Sequence, residues 1–309
     1  MLIPVADAHC DFLYNMWQDG FEIDTLSEKQ TIYIPYLRKG GVALQFFAVW
    51  VDHALHTPYL QQCLGMIDAY YRVLDKFPDV FTPLTAAFTP EDGRIATVLT
   101  VEGGEAVEGS LAVLRMLKRL GVAAMTLTWN HNNELAGAAM RRGGKGLTPL
   151  GREVVDEMQR IGVAMDIAHL SDEGIDDVLA CTSVPVFASH SNAREVLYSP
   201  RSLKDAHIRE ISRRGGVIGV NFYYKQLCEG TVAHVEDIAR HISHIAEVGG
   251  VSCCAIGSDF DGMNQYPEDI QNSGDFPLLI EALFTAGFSE EEVRKIAYQN
   301  LRDYIIRFV

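Results

Sequence analysis

The sequence predicts an α/β fold of the (β/α)8, TIM-barrel type, spanning residues 1–309 as one domain. Three observations lead there. Short apolar, β-branched runs recur along the chain, separated by loops and amphipathic segments. Most of these runs are continuously apolar rather than alternating, which is the pattern of strands buried on both faces and hence of a parallel sheet. Eight such runs in 309 residues match the size and strand count of one barrel. A doubly wound open sheet is the competing arrangement, but no G-x-G-x-x-G or G-x-x-x-x-G-K-[ST] turn follows any run.

The first run, LIPVADAH (2–9), leads into VADAHCD, where His9 and Asp11 stand two apart. In an extended segment they point to one side, with Cys10 between them pointing to the other and packing. Taken alone, the pair fits a metal site and a structural salt bridge equally well. The second run, VALQFFAVW (42–50), is followed by VDHALH, read as a surface loop carrying His53 and His56, and by a helix over 57–77. The third, IATVLTVEG (95–103), closes on Glu102 in VEGGE, and the helix over 110–121 starts at a Ser cap and stops at Gly. The fourth, VAAMTLTW (122–129), leads into the polar loop WNHNNELAG, which suits either ligand contact or a plain turn. RRGGKG (141–146) is a basic loop without the strand–loop–helix setting of a phosphate loop.

A helix over 148–162 precedes the fifth run, GVAMDIAH (162–169), which ends on His169. After a helix over 171–182 the sixth run, VPVFASH (184–190), ends on His190. A helix over 205–216 leads to the seventh, GVIGVNFY (216–223), whose Asn221 and Tyr223 either line a pocket or pack. His234, His241 and His244 share one face of a helix over 234–250, as capping or partner residues. The eighth run, SCCAIGSDF (252–260), closes on Asp259 and Asp261, and a last helix covers 289–305.

Composition narrows the function classes. A formal charge of −15 argues against nucleic acid or an anionic membrane as partner. The six cysteines show no C-x-x-C spacing and read as reduced, buried thiols. No apolar stretch approaches the roughly 20 residues of a membrane span, and the N-terminus lacks the features of a secretory leader. The expected location is the cytoplasm.

In a barrel, side chains at the C-terminal ends of the strands converge on one site. There the runs place His9, Asp11, Glu102, His169, His190, Asp259 and Asp261. Three imidazoles with carboxylates and no thiolate suit Zn²⁺ or a similar divalent ion. Five ligands are too many for one open tetrahedral ion. Shared between two, with Glu102 bridging, they leave each ion three protein ligands and room for a bridging water or hydroxide of lowered pKa. Asp259 is then the natural proton carrier, and Asp261 a supporting residue behind the ligands.

These motifs together, DAHCD, VEGGE, TLTW, MDIAHLS, ASHSNAR and IGSDFDG, resemble the membrane dipeptidase (renal dipeptidase) family of zinc peptidases, in the same order over nearly the whole chain. The resemblance implies a (β/α)8 barrel with two Zn²⁺ ions that hydrolyses dipeptides and accepts a D-residue at the C-terminal position. It implies His9 and Asp11 as ligands of one zinc, His169 and His190 as ligands of the other, Glu102 as the bridge and Asp259 as acid/base. Arg201, in YSPRSL, matches the arginine that grips the substrate carboxylate, a task suited to a planar guanidinium. The family also implies a homodimer. The chain departs where members often carry a histidine after TLT: here Trp129 stands, and Asn130 or His131 takes over the substrate contact or the pocket differs. Tyr223 is the further substrate-binding candidate. H-x-D at 9–11, rather than H-x-H, favours the dipeptidase branch. The alternatives are another binuclear amidohydrolase, acting on a lactam, lactone or N-acyl amino acid, and a metal-stabilised barrel without turnover.

Overall fold

The computed structural model describes residues 2–141, 143 and 145–309; Arg142 and Gly144 of the 141–146 loop lie outside the described residues. The apolar runs become β1 (Val5–Asp7), β2 (Val42–Trp50), β4 (Ile95–Glu102), β5 (Val122–Thr126), β6 (Ala164–Asp166), β7 (Ile218–Val220) and β8 (Cys254–Ile256). They pair in the order β6-β5-β4-β2-β1-β8-β7, with every pairing parallel. The result is a half-barrel of seven parallel strands. β2 and β4 form its longest ladder, running from Leu44–Ala96 to Trp50–Glu102.

Two segments of the sheet differ from the sequence reading, and three helices, Phe12–Asp19, Ile34–Lys39 and Phe276–Thr285, add to it. A short strand, β3 (Phe81–Pro83), pairs with the outer start of β4 and lies off the main path. The sixth run, 184–190, forms no strand but two isolated parallel bridges, Asp166 with Phe187 and Ala188 with Ile218. Phe187 exchanges backbone hydrogen bonds with Met165 and Ile167, and Ala188 with Val217 and Gly219, all at 2.8–3.1 Å. The segment therefore spans the two free edges. Pro185 has no N–H to extend the pairing, and past Ala188 the chain turns away to present Ser189 and His190.

Helices flank the sheet where apolar spacing predicts them. Ser110, Thr148 and Ser171 cap Leu111–Arg119, Pro149–Ile161 and Asp172–Cys181 through their side-chain oxygens, which satisfies backbone donors in the first turn. The last helical stretch is interrupted by a π-helical turn, Lys295–Gln299, between Glu290–Arg294 and Asn300–Ile305. Along β2, Phe47 packs outward against the helices while Phe46 packs inward with Leu44, Val98, Ala124 and Phe187. Tyr304, Ile305 and Phe308 fill the N-terminal end of that inner core. At the C-terminal ends of the strands a cavity of about 550 Å³ opens.

Candidate metal centre and active site

The candidate metal centre, at and just beneath the cavity floor, is built by residues at or just past strand ends. Glu102 is the last residue of β4, His9 and Asp11 follow β1, His169 follows β6, His190 follows the Phe187–Ala188 bridges, and Asp259 follows β8. His169, Asp259 and Asp261 all have left-handed backbone, with φ of 67°, 62° and 64°. For non-glycine residues this costs of order 1 kcal/mol each and persists where the surroundings over-determine it. Gly262 is needed beside them: a Cβ there would meet Asp11 Oδ2 at 2.1 Å and Asp259 Oδ1 at 2.5 Å.

Glu102 stands between two groups of donors. Its Oε1 lies 2.9 Å from His169 Nε2 and 3.5 Å from His190 Nε2, while its Oε2 lies 3.4 Å from His9 Nε2. His9 Nε2 is also 3.4 Å from Asp11 Oδ2 and 3.8 Å from Asp259 Oδ1. The far ring nitrogens of two ligands are held from behind, His169 Nδ1 by Asn130 Oδ1 at 2.9 Å and His190 Nδ1 by Ser189 Oγ at 2.8 Å. This leaves both Nε2 atoms facing the centre, 2.8 Å apart. Such outer partners fix the ring orientation of a metal-binding histidine.

The donor set fits metal ions. His9 Nε2 and Asp11 Oδ1 are buried without any hydrogen-bond partner, as ligand atoms turned toward a cation would be. His9, Asp11 and Glu102 form one compact ligand group, and Glu102, His169 and His190 another. Burial, with the nearby Arg201 charge, holds His169 down to about 4; burial and His9 hold His190 well below the usual range. Both are therefore neutral, as ligation requires. Burial alone would raise Glu102, but His9 and His169 hold it well below the usual carboxylate range. Asp259 goes the other way, pushed up to about 8 by burial and by Asp11 and Glu102 against the pull of His9.

Around this floor the cavity has two kinds of wall. Arg201 is buried, its Nη2 donating to the carbonyl of His190 at 3.2 Å, and it lines the cavity with Asn221, Tyr223 and Gln226. Asn221 Nδ2 donates to Asp259 Oδ2 at 2.8 Å. Trp129 lies on the other side, its ring 4.9 Å from that of Trp50 and 6.4 Å from His169; Tyr14 packs on Trp50 at 4.8 Å. His131 is not among the cavity-lining residues; its ring stacks on His53 instead, at 4.6 Å. Asp261 binds Thr31 through its backbone N and Oγ1 at 2.7 and 2.6 Å. Cys10 is buried and donates to the Phe46 carbonyl at 3.2 Å. His241 and His244 contact Ala193 N and Asp205. Sequence reasoning missed Tyr14, Trp50 and Met140 as cavity residues. Of these only Trp50, closing the second run, stood at a strand end.

The family model described as membrane dipeptidase (Peptidase family M19) matches residues 2–303. The chain belongs to this family. This dipeptidase superimposes on a metallopeptidase from Rhodobacter sphaeroides, liganded with a phosphinate mimic of the dipeptide L-Ala-D-Ala, with a TM-score of 0.91 and 26% identity over 100% of both chains. It is similar to the M19 metallopeptidase "dipeptidase AC" at 27% identity and a TM-score of 0.89, covering 100% of this chain and 99% of the other. A probable 2-pyrone-4,6-dicarboxylic acid hydrolase from Acinetobacter baumannii shares the fold alone, at 13% identity and a TM-score of 0.56 over 98% and 97% of the two chains. The protein is a metallodipeptidase, a hydrolase of peptide bonds.

Proposed function

We propose that residues 1–309 form one (β/α)8 barrel domain, closed through the Phe187–Ala188 bridges, that holds two Zn²⁺ ions and hydrolyses dipeptides, including those with a D-residue at the C-terminal position. The observation that carries this reading is the position of Glu102, one of whose carboxylate oxygens faces His169 and His190 while the other faces His9, beside Asp11. His9 and Asp11 would hold one ion, His169 and His190 the other, and Glu102 both. When bound, such a pair polarises a carbonyl and brings the pKa of water toward neutrality.

The chain's own residues do the rest. Arg201 remains charged, burial lowering it only to about 10, and its guanidinium receives the substrate's terminal carboxylate in a bidentate pair. This makes the residue after the scissile bond the last one, because extension past it puts an amide where the carboxylate belongs, and dipeptide selection then rests on the wall at the N-terminal side. The scissile carbonyl then lies over Glu102, and the N-terminal residue reaches the Tyr14–Trp50–Trp129 wall. Asp259 ionises beside bound cations. It takes a proton from the attacking water and delivers it to the amide nitrogen, so that the C–N bond breaks and two amino acids leave. Asn221 keeps Asp259 Oδ2 in place, and Tyr223 flanks the carboxylate side. A position in the cytoplasm agrees with six unpaired cysteines. In the described residues no helix is long and apolar enough to cross a membrane.

The test is a panel of L,L- and L,D-dipeptides, tripeptides and N-acyl amino acids, assayed with protein stripped of metal and reloaded with zinc. Dipeptide cleavage that depends on zinc and fails on tripeptides is expected. Turnover of N-acyl amino acids alone would transfer the site to the amidohydrolase alternative.

A further inference from the structure

Asn192, in the ASHSNAR motif, is fully buried and does not line the cavity. Its carboxamide makes three hydrogen bonds, all to the backbone of the turn after β7. Oδ1 accepts from Asn221 N at 3.0 Å, and Nδ2 donates to the carbonyls of Asn221 and Gln226, both at 3.1 Å. These bonds continue the pairing of the sixth run with β7. Ala188 bridges Ile218, and Ser191 N donates to the Gly219 carbonyl at 2.7 Å. Beyond that point the backbone has turned away, and a side chain takes the place of a strand, meeting both the N–H and the C=O of Asn221. A carboxamide suits this place. An aspartate would set an oxygen against two carbonyls, and an aliphatic side chain would leave three buried backbone groups unpaired.

The residue joins two parts of the site. Its own carbonyl accepts from Leu203 N at 2.8 Å, two residues past Arg201. On the other side Asn221, which it grips by the backbone, donates through its side chain to Asp259 Oδ2 at 2.8 Å. One buried side chain thus links the segment of the carboxylate-binding arginine to the residue that holds the proton carrier. His241 makes a second link between the same two segments, one residue farther along each. Its Nδ1 accepts from Ala193 N at 3.2 Å and its Nε2 donates to the Leu227 carbonyl at 3.3 Å. Neither of these bonds goes to Asn221. The two links therefore brace the same loops, but only that of Asn192 leads on to Asp259.

We propose that Asn192 is a positioning residue for dipeptide hydrolysis: it sets Asn221, and through Asn221 the Asp259 carboxylate, at a fixed place relative to Arg201. The proposal rests on the reading of Asp259 as proton carrier. The grip of Arg201 on the substrate carboxylate fixes where the scissile amide lies, and Asn192 fixes where the proton is delivered from, so both ends of the reaction share one frame. Arg201 keeps its own bond to the His190 carbonyl. Loss of Asn192 therefore disturbs proton delivery more than substrate binding, and shows in kcat rather than in KM.

Steady-state kinetics of zinc-loaded Asn192→Ala, with metal content and melting temperature measured alongside, tests this. A fall in kcat of about 10–100-fold is expected, the cost of a misplacement on the order of an ångström, with KM within about threefold of wild type and zinc content unchanged. Asn221→Ala is expected to lose kcat to a similar extent. The double variant should lose at most about threefold more than Asn221→Ala alone, because both residues act on Asp259 through one chain of contacts. His241→Leu, which removes the other link, is expected to lower Tm and keep kcat within about threefold. An Asn192→Ala enzyme that behaves like His241→Leu, with lowered Tm and wild-type kcat, would overturn the proposal, and so would fully additive losses in the double variant. Should Asn192→Ala not fold, Asn192→Ser, a smaller change, decides by the same kcat criterion. Asp259→Asn separates the two readings. If it loses turnover while the Asn192 variants keep theirs, the positioning role alone fails; if it keeps turnover, the proton-carrier reading fails and takes this proposal with it.

Discussion

Asp7 and Asp11 stand at the end of one strand and are both buried, but in opposite kinds of surroundings. Asp7 accepts hydrogen bonds from Ser258 N and Oγ at 2.8 and 2.7 Å, from Gln45 Nε2 at 3.0 Å and from His9 N at 3.5 Å. Asp166, at the end of β6, is treated alike, its Oδ1 accepting from Ala168 N and Ser189 N at 3.0 and 2.9 Å. One level higher, Asp11, Glu102 and Asp259 face imidazoles, and Asp11 Oδ1 accepts nothing. In the lower layer neutral donors close the lone pairs, so the carboxylates brace the loops that follow each strand. In the upper layer the lone pairs are left for cations. Asp7, Asp166, Asp11 and Glu102 are all buried, and the partners decide which layer is scaffold and which is site.

The contrast is broken most severely at Glu102. Glu102→Gln removes the shared ligand, so metal content of the main centre collapses and kcat/KM falls by about a thousandfold or more, several kcal/mol of barrier. Asp259→Asn should leave metal content intact and lower kcat/KM by about 10²–10⁴-fold, the range of a lost proton carrier. Steady-state kinetics paired with metal analysis separates the two variants. If Asp259→Asn sheds metal instead, Asp259 belongs among the ligands.

The upper layer was legible in the sequence, the lower was not, and the difference has physical causes. Strand-end His9, Glu102, His169, His190 and Asp259 converge because parallel strands all end at one face, and the sequence shows which residues end the runs. The runs predicted an eight-stranded barrel; seven of them form the parallel strands of a half-barrel, two bridges replace a strand at 184–190, and the three residues at 81–83 on the sheet's outer edge carry no periodic signal. The left-handed backbone at His169, Asp259 and Asp261 has no signature in side chains that usually avoid it. The satisfied state of Asp7 depends on Ser258 and Gln45, contributed by other strands, so no local pattern distinguishes it from Asp11. Tyr14 and Met140 reach the cavity from a helix and a loop, where no spacing rule applies.

A smaller effect comes from the lower layer. Asp7→Asn places a donor against the donors of Ser258 and Gln45, so chemical denaturation of the metal-loaded protein should show a loss of about 1–3 kcal/mol. Zinc content should stay complete and kcat/KM should change only a few-fold. Loss of metal on this substitution would mean that the two layers are not separable.

The smallest expected effect is that of pH on the metal-free protein. Burial pushes Asp259 up to about 8 and Glu105 up to about 7 in the folded state, well above the unfolded range of carboxyls. Between about pH 6.5 and 8 the folded protein thus holds protons that the unfolded chain has released, and stability falls as pH rises, by of order 1–2 kcal/mol. Below that window the depressed His169 works in the opposite sense, favouring stability as pH rises. Thermal melts in chelator should show the decline from pH 6.5 to 8, and melts with zinc should show less of it, because cations beside Asp259 replace its proton. A metal-free melting temperature that rises across the window would show that these carboxyls are not held protonated.

The central claim is that one carboxylate, Glu102, is shared by two metal ions. X-ray absorption at the zinc edge of the zinc-loaded protein measures this directly. A metal–metal vector at about 3.5–4 Å is predicted, and it should vanish in Glu102→Gln. Active enzyme with no metal scatterer near its zinc, or with the vector unchanged in the variant, would contradict the account.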